Sequence, residues 1–154
     1  MKPKAILMTL PILLVATVVC FAQNPQIGTW KLNESRSKIP AGAAKNHTVV
    51  YEVAGDSVKV TVDGVDGSGA TTHSEWTGKF DGKDYPATGD PNGDTRVYKL
   101  INARTLTFSS KKAGKVTLSG RIVVSRDGKT RTVTTTATDD KGKKVTSVAV
   151  YDKQ

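Results

Sequence analysis

Apolar and polar residues alternate in short runs along most of the chain after residue 23. In the segment 47–54, for example, Val49, Tyr51 and Val53 share one side, and the polar residues between them share the other. A period of two places alternate side chains on opposite faces of an extended strand, whereas a helix would show a period of 3.6 residues. No helical period follows the first 22 residues, so the pattern predicts an all-β protein.

The runs are separated by turn-forming residues at close spacing. Asp81-Gly82 and Asp127-Gly128 are dipeptides typical of tight hairpins, and the longer segment 34–46 predicts a loop with at most one helical turn. Short connections make sequence neighbours pair, and a long antiparallel sheet must close or leave exposed edges. We therefore predict a single up-and-down antiparallel β-barrel of 8–10 strands, with a two-layer sandwich as the alternative. The predicted strands are 27–33, 47–54, 57–63, 71–80, 83–88, 94–101, 104–110, 115–125, 129–138 and 143–151.

The first 22 residues have a different character. A basic start at Lys2 and Lys4 precedes an apolar run of about 17 residues, and Ala22 is a small residue at a plausible cleavage point. This pattern predicts a signal peptide over 1–22 and a β-barrel domain over 23–154. An uncleaved membrane anchor and a lipoprotein signal at Cys20 are the alternatives. Since Cys20 is the only cysteine, we expect a disulfide-free, bacterial exported protein, either periplasmic or secreted.

The charge of the chain is basic but dispersed. The formal net charge is +9, and removal of Lys2 and Lys4 with the signal peptide would leave +7. The remaining lysines are scattered, with small clusters at predicted turns, which is typical of solubility and of protected sheet edges. We therefore predict no nucleic-acid partner, a membrane relation only through export, and a monomer.

The segment Gly28-Thr29-Trp30-Lys31-Leu32 opens the first predicted strand. It resembles the Gly-x-Trp signature on the first strand of lipocalins, and the opening of the fatty-acid-binding proteins is similar. Both groups belong to the calycins, and the resemblance implies a barrel closed by Trp30 and Gly28. In the calycin pattern a basic residue from a late strand stacks on this Trp. Arg121, Arg131 and Lys144 are the candidates, and we assign Arg121 to barrel closure with Gly28 and Trp30.

Other features separate this chain from the fatty-acid-binding proteins. The segment 34–46 is too short for their two-helix lid, and the Arg-x-Tyr of their last strand would fall on Ala149-Val150-Tyr151, which has the Tyr without the Arg. The chain resembles most a compact, exported, lipocalin-like protein of bacteria.

Aromatic side chains on the predicted inner faces are the candidates for a ligand cavity. The alternative interpretation is that they fill the core, because a small barrel has little spare room. The candidate ligand-binding residues, which include one arginine, are Tyr51, Trp76, Phe80, Tyr98, Phe108, Arg131 and Tyr151, and Leu106 adds to the predicted apolar wall.

Arg131 is the most specific of these candidates. It shares a face with Val133, Thr135 and Ala137, and five threonines occupy the other face of the same strand. If the Val/Ala face points inward, the guanidinium enters the lumen, where it can hold a ligand carboxylate. If the threonine face points inward, Arg131 is a surface charge.

The sequence offers little support for catalysis. His47 and His73 are isolated, with no cluster at metal-ligand spacing. Acidic residues at 63, 66, 90 and 94 lack EF-hand spacing and fit ordinary turns. We predict a non-enzyme without catalytic residues, metal site or cofactor.

Two hypotheses of function follow from the barrel. The first is a small exported binding protein that holds a hydrophobic small molecule or lipid. The second is a filled barrel that acts through its surface, as an envelope interaction module or a protease inhibitor.

Overall fold

The computed structural model describes residues 24–138 and 142–154, and the predicted signal peptide lies outside them. Within these ranges no helix is long and apolar enough to cross a membrane. The helical content described is one short 3₁₀ turn, η1, at Glu34–Arg36, whose N-terminus is capped by the Asn33 side chain.

Ten strands in the described residues form a closed antiparallel barrel in which each strand pairs with its sequence neighbours. Closure comes from β1 and β10, where Trp30 is the register partner of Lys153 and Leu32 that of Tyr151. The all-β, up-and-down barrel predicted from the alternating pattern is confirmed, and direct β1–β10 pairing excludes a two-layer sandwich. The strands are β1 Gly28–Leu32, β2 Lys45–Ala54, β3 Ser57–Val65, β4 Thr71–Gly78, β5 Asp81–Thr88, β6 Thr95–Asn102, β7 Thr105–Lys112, β8 Lys115–Val124, β9 Thr130–Thr138 and β10 Lys144–Lys153.

The barrel has two unlike ends. At the closed end Trp30 is completely buried, its indole Nε1 donates to the Gln26 carbonyl at 2.9 Å, and Gln26 is itself buried. The other end, called the open end below, carries the segment Ile39–Ala44 and the β5–β6 loop 89–94. The end distant from Trp30 is therefore the one at which loops border the lumen.

The weakest junction in the wall lies between β4 and β5. Only Glu75–Thr88 and Trp76–Ala87 are register partners there. Aromatic rings fill the space instead: Phe80 stacks on Trp76 at 6.2 Å between centroids, and Tyr85 meets the same indole edge-on at 5.8 Å. Side-chain packing thus replaces backbone hydrogen bonds along this seam.

Gly78 offers a test of how tightly the seam is packed. A Cβ at this position would lie 2.5 Å from the Tyr85 ring and 2.7 Å from the Trp76 ring. Neither ring is a flexible side-chain end, so Gly78→Ala is expected to lower the free energy of unfolding by about 1–3 kcal/mol.

Urea denaturation followed by circular dichroism measures this effect. Thr77→Ala is the matched control, because Thr77 is the exposed neighbour on the same strand. Equal unfolding midpoints for the two variants would show that the seam is loosely packed.

Candidate functional site

Arg131 lies inside the barrel. On β9, Arg131 is buried while Thr132 and Thr134 are exposed, and its register partners, Tyr151 on β10 and Val124 on β8, are both buried. Of the two orientations left open by the sequence, the structure therefore has the Val/Ala face inward. Packing against apolar neighbours on both adjacent strands decides the orientation.

The guanidinium of Arg131 is surrounded by three aromatic rings. Its Cζ lies 4.9 Å from the ring centroids of Trp30 and Tyr51 and 4.8 Å from that of Tyr151. Cation–π contacts contribute about 0.5–2 kcal/mol each. The arginine therefore contacts both Trp30, at the closed end of the barrel, and the tyrosine rings at the floor of the lumen.

Barrel closure involves Gly28, Trp30 and Lys153. Gly28 has φ +126°, a conformation that L side chains rarely adopt, and a Cβ there would lie 2.7 Å from Cε of Lys153. The absence of a side chain lets the Lys153 stem cross this point, and its Nζ lies 5.2 Å from the centroid of the Trp30 ring.

The assignment of Arg121 to closure is corrected by the structure. Ile122 and Val124 point inward on β8, so Arg121 is exposed by alternation. Lys144, another candidate, is exposed at the start of β10, at the open end. The cations over the Trp30 ring are Arg131 and Lys153.

The charge of Arg131 has no acceptor in the part of the chain that the structure describes. Only 2% of the residue is exposed, and its buried Nε and Nη1 have no hydrogen-bond partner there. Burial raises the pKa of Tyr151 to about 12, against the opposing effect of Arg131, and burial likewise raises the pKa of Tyr51. Both phenols are thus neutral near pH 7 and provide no counter-charge.

Arg96 is a second inward arginine, and it is fully paired. Its Nη2 donates to Oδ2 of Asp90 at 2.7 Å, its Nε to the Ser110 hydroxyl at 3.1 Å, and its Nη1 to the Tyr98 hydroxyl at 3.3 Å. Sequence reasoning missed this residue. Its position two residues before Tyr98, which the sequence predicts on the inner face, indicates that Arg96 also points inward.

A cavity of about 390 Å³ runs from the aromatic rings around Arg131, which form its floor, to the open end. Its upper wall is rich in small side chains and hydroxyl groups, and the segment Ile39–Ala44 borders its mouth. The residues that form the floor and lower wall are Tyr51, Tyr98, Phe108, Ile122, Arg131 and Tyr151; those nearer the open end include Thr72, Ser74, Arg96, Leu118, Val133, Thr135, Ala137 and Ser147.

The structure separates the candidate ligand-binding residues into two groups. Tyr98 and Phe108 line the cavity, as do the other residues named for the floor above. Trp76 and Phe80 do not, which corrects their assignment: they pack together at the β4–β5 seam, and Trp76 Nε1 donates to the Arg96 carbonyl at 3.1 Å. Leu106 is completely buried in the core. The sequence predicts which side chains point into the barrel, but it does not predict how deep along the barrel axis each of them lies.

The acidic residues considered as turn formers have defined partners. Asp66 accepts hydrogen bonds from the backbone amides of Ser68 and Ala70 within its own turn, and Asp90 pairs with Arg96. Across residues 24–138 and 142–154, no group of three or more His, Cys, Asp or Glu side chains could hold a metal ion.

Fold and cavity together define the class of this protein as an up-and-down β-barrel with an accessible lumen, an architecture compatible with calycins. Comparison with models of known protein families gives no match, and comparison with curated proteins gives no significant match.

Proposed function

We propose that this protein binds a small hydrophobic molecule in the barrel lumen and that Arg131 contacts an anionic group on that molecule. The observation that carries the proposal is a buried guanidinium whose Nε and Nη1 have no acceptor among the described residues, at the floor of a cavity that leads to the open end. Removing a charge from water costs several kcal/mol unless it is paired. A ligand oxygen that accepts from Nε and Nη1 would offset that cost.

The cavity has the size and lining expected of a ligand site. Small-molecule sites have volumes of about 300–1,000 Å³ and combine apolar walls with a few placed polar groups; the cavity here measures about 390 Å³. Aromatic rings and aliphatic side chains supply the apolar wall, and Arg131 supplies the placed polar group. A barrel packed solid, as the surface-acting alternative requires, would leave no such space.

Export fits this function. The Gly28-x-Trp30 opening and the signal-like residues 1–22 suggest an exported, lipocalin-like carrier that works in the periplasm or outside the cell. A monomeric barrel with an open end would suffice, because the whole site comes from one chain.

Native mass spectrometry of the protein purified from its own host tests the proposal. The expected result is a mass increment from a bound organic molecule that is lost on denaturation. Fluorescence titration of the delipidated protein with 8-anilinonaphthalene-1-sulfonate, an aromatic sulfonate, provides the complementary measurement. A spectrum without an adduct, together with no saturable fluorescence change, would refute binding in the lumen.

A further inference from the structure

Asp90 places a buried carboxylate beside the cavity. Its side chain is 2% exposed, and that of its partner Arg96 is 11% exposed. Oδ2 accepts from Arg96 and from the Ser110 hydroxyl at 2.9 Å, while Oδ1 accepts from the Asn92 amide, also at 2.9 Å. Both oxygens are thus used inside the protein, and neither is left to bind a cationic ligand.

The loop that carries Asp90 is also held by contacts that do not use this carboxylate. The Asp94 amide donates to the Lys111 carbonyl at 2.9 Å, and the Thr117 hydroxyl donates to the Asn92 carbonyl. A Cβ on Gly93 would lie 2.2 Å from the same Lys111 carbonyl oxygen. These contacts hold residues 92–94 without the carboxylate, and the pairing of the carboxylate with Arg96 gives it an electrostatic role as well.

That role is to neutralise one of two arginines. Arg96 and Arg131 are the cationic residues among the described residues that line the cavity, and Asp90 is the acidic one. Arg131 contacts the Tyr51 ring, Tyr51 meets Tyr98 edge-on at 6.4 Å, and Arg96 lies 6.0 Å from the centroid of the Tyr98 ring. Two guanidiniums thus flank one tyrosine pair, and among the described residues that line the cavity a single positive charge has no carboxylate beside it.

Resting on the function proposed above, we infer that Asp90 determines specificity: it restricts the lumen to ligands with a single negative charge. A neutral ligand leaves Arg131 unpaired. A dianionic head brings a second charge for which the described cavity residues offer no further cation, and it lies in the same cavity as the Asp90 carboxylate. A monoanion, such as a carboxylate or a sulfate ester, matches the single guanidinium without a carboxylate partner among the residues described.

Three probes with the same octyl chain isolate this effect: octanol, octyl sulfate and octyl phosphate. Calorimetric titration of the wild-type protein is expected to give the tightest binding for octyl sulfate. Because a hydrogen bond to a charged group contributes about 1.5–3 kcal/mol, octanol should bind about tenfold or more weakly. Near pH 8 octyl phosphate is a dianion, since the second pKa of a phosphate ester is about 6, and it too should bind about tenfold more weakly.

The variant Asp90→Asn is expected to remove the discrimination against the dianion. Loss of the carboxylate releases the charge of Arg96, so the affinity for octyl phosphate should rise by about tenfold relative to octyl sulfate. Asp94→Asn is the matched control, because Asp94 is exposed on the same loop and accepts from the Ala113 amide. An unchanged ratio in Asp90→Asn, or an equal change in Asp94→Asn, would overturn the inference.

A measurement on the wild-type protein keeps the inference testable if Asp90→Asn does not fold. The described residues that line the cavity include no histidine, the side chain whose ordinary pKa lies between about pH 5 and about pH 8. Octyl phosphate becomes a monoanion near the lower value and should then bind about as tightly as octyl sulfate. Persistent discrimination at both values would overturn charge selection, whereas failure of all three probes to bind would refute the proposed lumen function itself.

Discussion

Replacing Arg131 with methionine is expected to weaken the binding of octyl sulfate by about 30-fold or more, because removing one partner of a buried charge pair costs at least about 2 kcal/mol. The affinity for octanol should stay within about threefold of wild type, since the apolar wall is retained. Calorimetric titration of both probes measures the two effects in one protein. Arg121→Met is the matched control: it removes the same charge from the exposed face of the neighbouring strand and should change neither affinity.

The stability of Arg131→Met separates a binding role from a purely structural one. The substitution removes three cation–π contacts of about 0.5–2 kcal/mol each, but it also removes the desolvation cost of an unpaired guanidinium, which is several kcal/mol. Methionine restores part of the contact with the rings, and Lys153 still covers Trp30. We therefore expect the free energy of unfolding to change by no more than about 1–2 kcal/mol. Severe destabilisation with unchanged octyl sulfate affinity would make Arg131 a structural residue only.

Replacing Trp30 with alanine is expected to lower the free energy of unfolding by about 3–5 kcal/mol. Trp30 is completely buried, has the Arg131 guanidinium 4.9 Å and the Lys153 ammonium 5.2 Å from its ring centroid, and donates to the Gln26 carbonyl. Its loss would create a cavity at the closed end and expose the floor of the lumen. Since single domains have stabilities of about 5–15 kcal/mol, this substitution removes a large share of the total.

Urea denaturation followed by far-ultraviolet circular dichroism checks this prediction without relying on tryptophan fluorescence. Trp30→Phe is the graded control, because it keeps an aromatic ring over the arginine and loses only the indole donor and part of the volume; it should fall between wild type and Trp30→Ala. A change below about 1 kcal/mol in Trp30→Ala would show that the indole does not close the barrel.

Most of the fold followed from the sequence for a local reason. A strand that is half buried must alternate apolar and polar residues, so the pattern 47–54 lies within β2, and Asp127-Gly128 lies in the turn between β8 and β9. The hairpin turn predicted at Asp81-Gly82 is wrong, because both residues belong to β5 and the β4–β5 partners lie elsewhere, at Glu75–Thr88 and Trp76–Ala87. The other boundaries moved by a few residues, as at β10, which extends to Lys153. Closure of the sheet was also predicted from the short connections, with a two-layer sandwich as the alternative, and the β1–β10 pairing confirms the closed barrel.

The candidate site followed from the sequence only in part. Alternation identifies the residues that face inward, such as Tyr51 and Tyr98, but Trp76 proved to lie in the seam and Arg121 on the surface. Which face of β9 points into the barrel depends on the neighbouring strands. The pairing of Arg96 with Asp90 depends on the path of the loop that carries Asp90, and no local sequence pattern predicts that path.

The sequence by itself therefore determined the strands, the barrel and a set of inward aromatic residues around the Gly28-x-Trp30 opening. The tertiary structure alone decided that Arg131 enters the lumen, where its Nε and Nη1 have no acceptor among the described residues, that Asp90 pairs with Arg96, and that the lumen between Arg131 and the open end is not filled. The physical reason is that strand periodicity is encoded in each segment separately. The charge balance inside the lumen and the volume of the cavity instead depend on how all ten strands are arranged around the barrel axis.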